Sequence, residues 1–163
     1  MTLLAESNGA QVHHATWLAL LDVVPTCDAL IVDAPYSERT HAGHGDGTDA
    51  ANGAGIDPTR RDLSYLSWTA DDVRAFVEEW HPRTSGWFVT ITDHVLSPAW
   101  EAALSLVGRY VFAPLPFVAP GSRVRMLGDG PSLWACWIVV ARPRTRGMSK
   151  WGALPGAYVI PSG

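Results

Sequence analysis

The chain has no apolar run approaching the roughly 18 residues a membrane-crossing helix needs, which predicts a protein without a span. It has only two cysteines among 163 residues. Cys27 and Cys136 lie far apart in apolar surroundings, and neither belongs to a C-x-x-C unit. A buried thiol is the expectation for both, in preference to a disulfide or a metal ligand. Charge is sparse as well: 17% of residues are charged and the net charge is -4. With 47% apolar residues, that composition excludes disorder as the main state. No strict period is present, so collagen and coiled coil are excluded. The start, MTLLAESNGA, has neither a basic beginning nor a long apolar core, so no signal peptide is predicted and the cytoplasm is the expected compartment. This length fits one domain spanning 1–163, able to bury roughly two thirds of its unfolded surface.

The charge that is present is unevenly placed. Residues 1–120 hold six basic and fifteen acidic side chains, net -9, whereas residues 121–163 hold six basic ones against Asp129, net +5. The basic set is Arg123, Arg125, Arg142, Arg144, Arg146 and Lys150. A basic end on an acidic protein is either a phosphate-facing surface or a solvated tail.

Periodicity divides the chain into alternating elements. Val12–Val24 carries apolar residues at helical spacing and Pro25 closes it, which predicts a helix. Ala29–Val32 is a short continuous apolar run, read as a strand buried on both faces. Residues 37–62 are rich in Gly, Asp, Thr and His without an apolar period, which predicts a long mobile loop, and such loops are usually functional. Thr69 caps a helix whose apolar stripe is Val73, Phe76, Val77 and Trp80, ending at His81-Pro82. Gly86–Thr92 is a second strand. Ser97 and Pro98 open another helix, which Gly108 stops. Tyr110–Val118 is a third strand, with Pro114 and Pro116 forcing an edge or a bulge. Ser132–Ala141 is apolar throughout and therefore central, joined to the third strand as an antiparallel pair through a turn at 128–131. Residues 143–163 form a basic, turn-rich tail. Trp17, Trp80, Trp100, Trp134 and Trp137 are read as core, while Trp68 and Trp151 have no assigned place. Strands alternating with helices define an α/β fold with a mixed sheet and helices on both faces.

In open α/β sheets, ligands bind beyond the carboxyl ends of the strands. Two such ends carry polar groups: Asp33-Ala34-Pro35-Tyr36 and Thr92-Asp93-His94. The Asp33 carboxylate is an acceptor, the Ala34 carbonyl ahead of Pro35 is fixed in direction, and Tyr36 offers a flat face. Together they can grip a planar group bearing an exocyclic amino group. VDAPYS resembles the D/N/S-P-P-Y/F/W motif of DNA amino-methyltransferases, which methylate adenine N6 or cytosine N4. The element order over most of residues 12–142 resembles that family's target-binding half, so the implied fold is a Rossmann-like methyltransferase-type sheet. By this resemblance Asp33 and the Ala34 carbonyl accept the two amino protons and Tyr36 stacks on a base flipped from the duplex. The methyl group then passes from S-adenosylmethionine, and positioning supplies much of the catalysis. The resemblance further implies DNA as partner, restriction-modification or phage-related roles, and adenine rather than cytosine as target. Ser37, Thr40, His41, Asp93 and His94 are candidate substrate contacts. Arg123, Arg125, Arg144, Arg146 and Lys150 are candidate DNA contacts.

Two departures stand out. Ala34 replaces the usual proline, although a backbone carbonyl serves either way. The Gly-rich cofactor turn between a strand and a helix is absent: Gly43–Gly47 lies in the polar loop and Gly128–Gly130 precedes a strand. The expectation is a target half whose cofactor half comes from a second chain or a missing C-terminal segment, leaving Ala29–Val32 as an apolar edge strand. Plainer readings stand beside these. Asp33–Tyr36 can be a strand-ending turn, Asp93 and His94 a helix entry, and Thr40, His41 and His44 solvated loop polarity. His41, His44 and Asp46 have zinc-ligand chemistry but share one Gly-rich loop without an ordered scaffold, so no metal site is assigned. A non-catalytic DNA-binding or partner subunit is the alternative function.

Overall fold

A computed structural model of the chain describes residues 1–45, 66–120, 135–144 and 155–160. The chain opens with a hairpin rather than a helix. Strand β1 (Thr2–Ser7) pairs antiparallel with β2 (Ala10–His14). Asn8 and Gly9 turn the corner with φ of 50° and 78°, the left-handed pair that a two-residue hairpin turn of matching twist requires. The Asn-Gly signal therefore overrides the helical spacing read over Val12–Val24. Only a single 3-10 turn at Ala19–Asp22 survives from that helix, although Trp17, Leu20, Leu21 and Val24 still pack on the core.

The main sheet runs β3-β4-β7-β6-β8, with β5 paired to β7. It comprises β3 (Leu30–Asp33), β4 (Phe88–Thr92), β5 (Tyr110–Val111), β6 (Leu115–Val118), β7 (Ala135–Arg142) and β8 (Tyr158–Val159). Strands β3 and β4 are parallel, β7 runs antiparallel to β4 and β6, and β8 is parallel to β6. The sheet is thus mixed, and β7 is central as its apolar sequence requires. The expected single strand over Tyr110–Val118 is broken between β5 and β6, where Pro114 has no N–H to donate. Within the expected tail, Tyr158–Val159 extends the sheet, and the Ile160 N–H donates to the Val118 carbonyl.

Helix α1 (Glu38–Gly45) occupies the start of the segment expected to be a loop; residues 46–62 lie outside the described residues. Helix α2 (Ala70–Trp80) begins at a capping box in which Thr69 and Asp72 satisfy each other's backbone N–H groups. Helix α3 (Ser97–Leu106) ends where Gly108, at φ 82°, donates to the Ser105 carbonyl and Arg109 to that of Leu104. That pair of bonds is a Schellman stop, and its left-handed position favours glycine.

Val73, Phe76, Val77 and Trp80 of α2 and Trp100, Ala103 and Leu104 of α3 bury against Phe88, Val139 and Ala141. These three share one face of the sheet, because Phe88 faces Ala141 and Thr90 faces Val139 in the β4–β7 ladder. Both helices therefore lie on that face. Trp68 joins the core, its ring 6.1 Å from Trp100 and 5.4 Å from Phe76. Arg109, only 1% exposed, staples the loop after α2. Its guanidinium donates to the carbonyls of Gly86, Thr84 and His81, and its Nε to His81 Nδ1 at 3.1 Å.

Among the described residues strand β3 is an edge. It pairs with β4 on one side, and its burial alternates instead of covering both faces. Leu30 and Val32 pack on the core, while Ile31 is 76% exposed. The reading of this strand as buried on both faces is corrected accordingly.

Candidate functional site

Parallel β3 and β4 end together, because Asp33 is in register with Ile91. The chain beyond each end carries the polar residues picked out in the sequence. Asp33, last in β3, is exposed. Ala34, 5% exposed, sends its methyl into the core and anchors the turn. Pro35 and Tyr36 are half-buried, and the Tyr36 carbonyl accepts from Trp68 N–H at 3.0 Å. Ser37 then bridges to Trp68 and starts α1.

The start of β7 meets this turn because β7 is antiparallel to β4. Cys136 hydrogen-bonds with Tyr36, and the Asp33 charge is near enough to act on its thiol. Burial pushes the Cys136 thiol up from its ordinary value, a hydrogen bond with Tyr36 opposes that rise, and the Asp33 charge adds to it. Tyr36 is thus hydrogen-bonded to a thiol that no sequence argument selected, within electrostatic reach of Asp33. A signal for it exists: alternation along β7 places Cys136 on the same face as Ile138, the partner of Ile91.

Asp93, expected as a substrate contact, is 4% exposed and spends both oxygens on the protein. Its Oδ2 accepts from Ser37 N–H at 2.9 Å, from the Ser37 hydroxyl, and from the Thr40 hydroxyl at 2.6 Å. Its Oδ1 accepts from Val95 N–H at 3.1 Å and Leu96 N–H at 2.9 Å. One carboxylate therefore caps two helix starts, where negative charge is favoured. It also replaces Ser97 as the cap of α3, since Leu96 stands at the cap position and makes no side-chain cap bond. Burial by itself would raise the Asp93 carboxyl, but the bonds from Ser37, Thr40 and Leu96 outweigh it and hold the group below its ordinary value. Ser37 and Thr40, also expected at the substrate, are the donors in this arrangement.

His94 is exposed and lines an open hollow of about 340 Å³ with Ser97, Pro98, Pro114 and Trp137. The hollow lies on the helix side of the β4 end, because Trp137 is in register with Thr92. His41 stands in the first turns of α1, half-buried. Asp46 lies outside the described residues, and among these no cluster of metal-ligating side chains occurs.

The basic residues separate from this site. Arg123, Arg125, Arg146 and Lys150 lie outside the described residues. Arg144 is exposed, with its guanidinium 5.7 Å from the Tyr110 ring, and Arg142 sits 4.7 Å from the same ring. Ile138 faces Ile91, and Arg142 comes four residues later on β7, about 13 Å down the strand. Arg144 is therefore at the far end of the sheet from Asp33 and Tyr36. Trp134 and Trp151 also lie outside the described residues, whereas Trp137 lines the hollow rather than the closed core.

The helix starts offer no cradle for a nucleotide cofactor. Those of α1 and α3 are filled by the Asp93 carboxylate, and that of α2 by its own capping box. None opens from a Gly-rich turn, so the described residues do not fit a complete S-adenosylmethionine site.

The mixed open sheet with its parallel β3–β4 pair and central antiparallel β7 is an α/β fold. Among solved structures, that of the M1.HpyAVI–SAM complex matches this chain with a TM-score of 0.52 at 13% sequence identity. The match covers 80% of this chain and 53% of that one, so the chain spans about half that protein's length. At this identity the likeness establishes the fold alone. No protein-family model matches the chain, and no curated protein matches it significantly. No helix among the described residues is long and apolar enough to cross a membrane.

Proposed function

We propose that this chain serves methyl transfer to the exocyclic amino group of a DNA base, with adenine N6 the target in preference to cytosine N4. The observation that carries the reading is that Asp33, exposed, and Tyr36, three residues on, follow directly from the carboxyl end of β3 beside the end of β4. It occurs within a fold shared with a protein solved as a SAM complex. The exposed Asp33 carboxylate and the Ala34 carbonyl accept the amino protons, and the Tyr36 ring carries the base face. Two oriented acceptors turn the amino lone pair out of the ring system, so positioning does the chemical work. S-adenosylmethionine supplies the methyl group when bound, and its holding residues are not those described here.

The open β3 edge supports a partner for this reading. With Ile31 exposed and one side of the strand unpaired among the described residues, β3 offers a template for another strand. We place the cofactor-holding half there, supplied by a second chain or a further segment. The same edge favours the second reading, a non-catalytic DNA-binding subunit of a split methyltransferase. Two measurements separate them. Calorimetry with S-adenosylmethionine, on the chain alone and mixed with a protein encoded beside it, is expected to show binding in the mixture. No heat in either condition leaves the non-catalytic subunit. Transfer of labelled methyl to DNA is expected to fall at least about 10²-fold in Asp33→Ala, the order for removing one positioned hydrogen-bond partner. Retained transfer in that variant removes Asp33 from its role.

A further inference from the structure

The Asp33–Tyr36 turn is joined to β3 on one side and to α1 on the other. A residue just past the end of β4, fifty-six positions beyond Ser37, accepts a hydrogen bond from the residue that follows Tyr36. We propose that Asp93 is the positioning residue of this turn, tying Ser37 and Thr40 through one oxygen to the β4–α3 junction held through the other. The base-binding consequence rests on the methyl-transfer reading; the tie itself does not.

Three features argue for positioning rather than substrate contact. Both oxygens are engaged by the protein, so Asp93 has no acceptor aimed outward. The residue is buried, which makes the unpaired state costly for each donor left behind. Of the bonded residues, Ser37 directly follows Tyr36 and Thr40 lies in the next turn, so a shift of Ser37 carries to the ring. Trp68 closes the arrangement from a third direction, donating to the Tyr36 carbonyl. A carboxylate suits this task where an amide would not. The donors divide between the two oxygens, and an amide would present N–H to the backbone N–H of Ser37 or to those of Val95 and Leu96.

The test is fluorine NMR on the full chain bearing 3-fluorotyrosine, with the Tyr36 signal identified by Tyr36→Phe. Asp93→Asn is expected to shift or split the Tyr36 signal while that of Tyr110, on β5, stays in place. Thr40→Val, which removes one bond, is expected to move the same signal in the same direction by less. Asp93→Glu, which keeps two acceptors and the charge, is expected to return it part of the way. An unmoved Tyr36 signal in a folded Asp93→Asn protein overturns the proposal. If Asp93→Asn fails to fold, an unmoved signal in Thr40→Val does so instead. The probe deoxyadenosine monophosphate separates this result from the functional reading. A wild-type Tyr36 signal that ignores the nucleotide counts against base binding and leaves the tie standing. A response of equal size and midpoint in wild type and Asp93→Asn overturns positioning and leaves base binding standing.

Discussion

Tyr36 and Asp93 illustrate two ways a side chain can serve one site. Tyr36 offers a ring and a hydroxyl, and the hydroxyl is engaged with the Cys136 thiol. If the ring face is the working part, Tyr36→Phe is expected to keep most DNA methyl transfer and Tyr36→Ala to lose at least about tenfold, since base–aromatic stacking contributes about 1–3 kcal/mol. Equal losses in the two variants, measured by labelled-methyl incorporation, would show the hydroxyl to be the essential group. Asp93 works through its charge state. Burial disfavours its ionised form, but the bonds from Ser37, Thr40 and Leu96 prevail and lower its pKa beneath 3.8. A depressed carboxylate stabilises the fold fully above its unfolded value and loses that contribution as pH falls through the folded one. Below pH 3.8, stability by urea titration is therefore expected to fall more steeply in wild type than in Asp93→Asn. Asp72, lowered by its bonds with Thr69, adds a component of the same sign to both proteins, so only the difference reports on Asp93. Parallel pH curves would remove the assignment.

At the scale of elements, local and long-range chemistry divide the helix starts and the strands between them. Helix α2 carries its own start signal, the reciprocal Thr69–Asp72 cap, with the Asp72 N–H donating to Thr69 at 3.3 Å. Thr69→Ala is expected to destabilise the protein by about 1 kcal/mol in chemical denaturation, with little effect on DNA methyl transfer. A loss of transfer at unchanged stability would place Thr69 at the site instead. Helix α3 begins differently. Its sequence offers Ser97 and Pro98, yet the working cap is Asp93, the residue that leaves β4. A cap that comes from the preceding strand end and also holds Ser37 cannot be found by local pattern. The N-terminal hairpin shows the reverse case, in which a two-residue Asn8-Gly9 turn outweighed a longer run of helical spacing.

For the whole molecule, the separation of charge from the candidate site has a consequence. Arg142 and Arg144 gather around Tyr110 at one end of β7, while Asp33 and Tyr36 stand near the other. A duplex engaged at the Tyr36 end would meet Arg144 only along its backbone, away from the target base. Arg144→Ala is therefore expected to weaken DNA binding evenly across sequences and lower the slope of log affinity against log salt by about 1. Fluorescence anisotropy at several salt concentrations measures it, and an unchanged slope would place DNA elsewhere on the surface.

The amino-acid sequence by itself determined the stripes of α2 and α3, the central place of β7 and the polar ends of β3 and β4. Each is written in spacing a few residues long: Val73 to Trp80, Trp100 to Leu104, the unbroken apolar run through Val139 and Ala141, and Asp33 through Tyr36. Only the tertiary structure decided that Cys136 adjoins Tyr36, that Asp93 turns inward to Ser37 and Thr40, and that Arg144 lies away from both. Those facts depend on strand order and direction. An antiparallel β7 beside a parallel β3–β4 pair brings residue 136 to residue 36 and carries residue 144 off, and no local pattern encodes that choice.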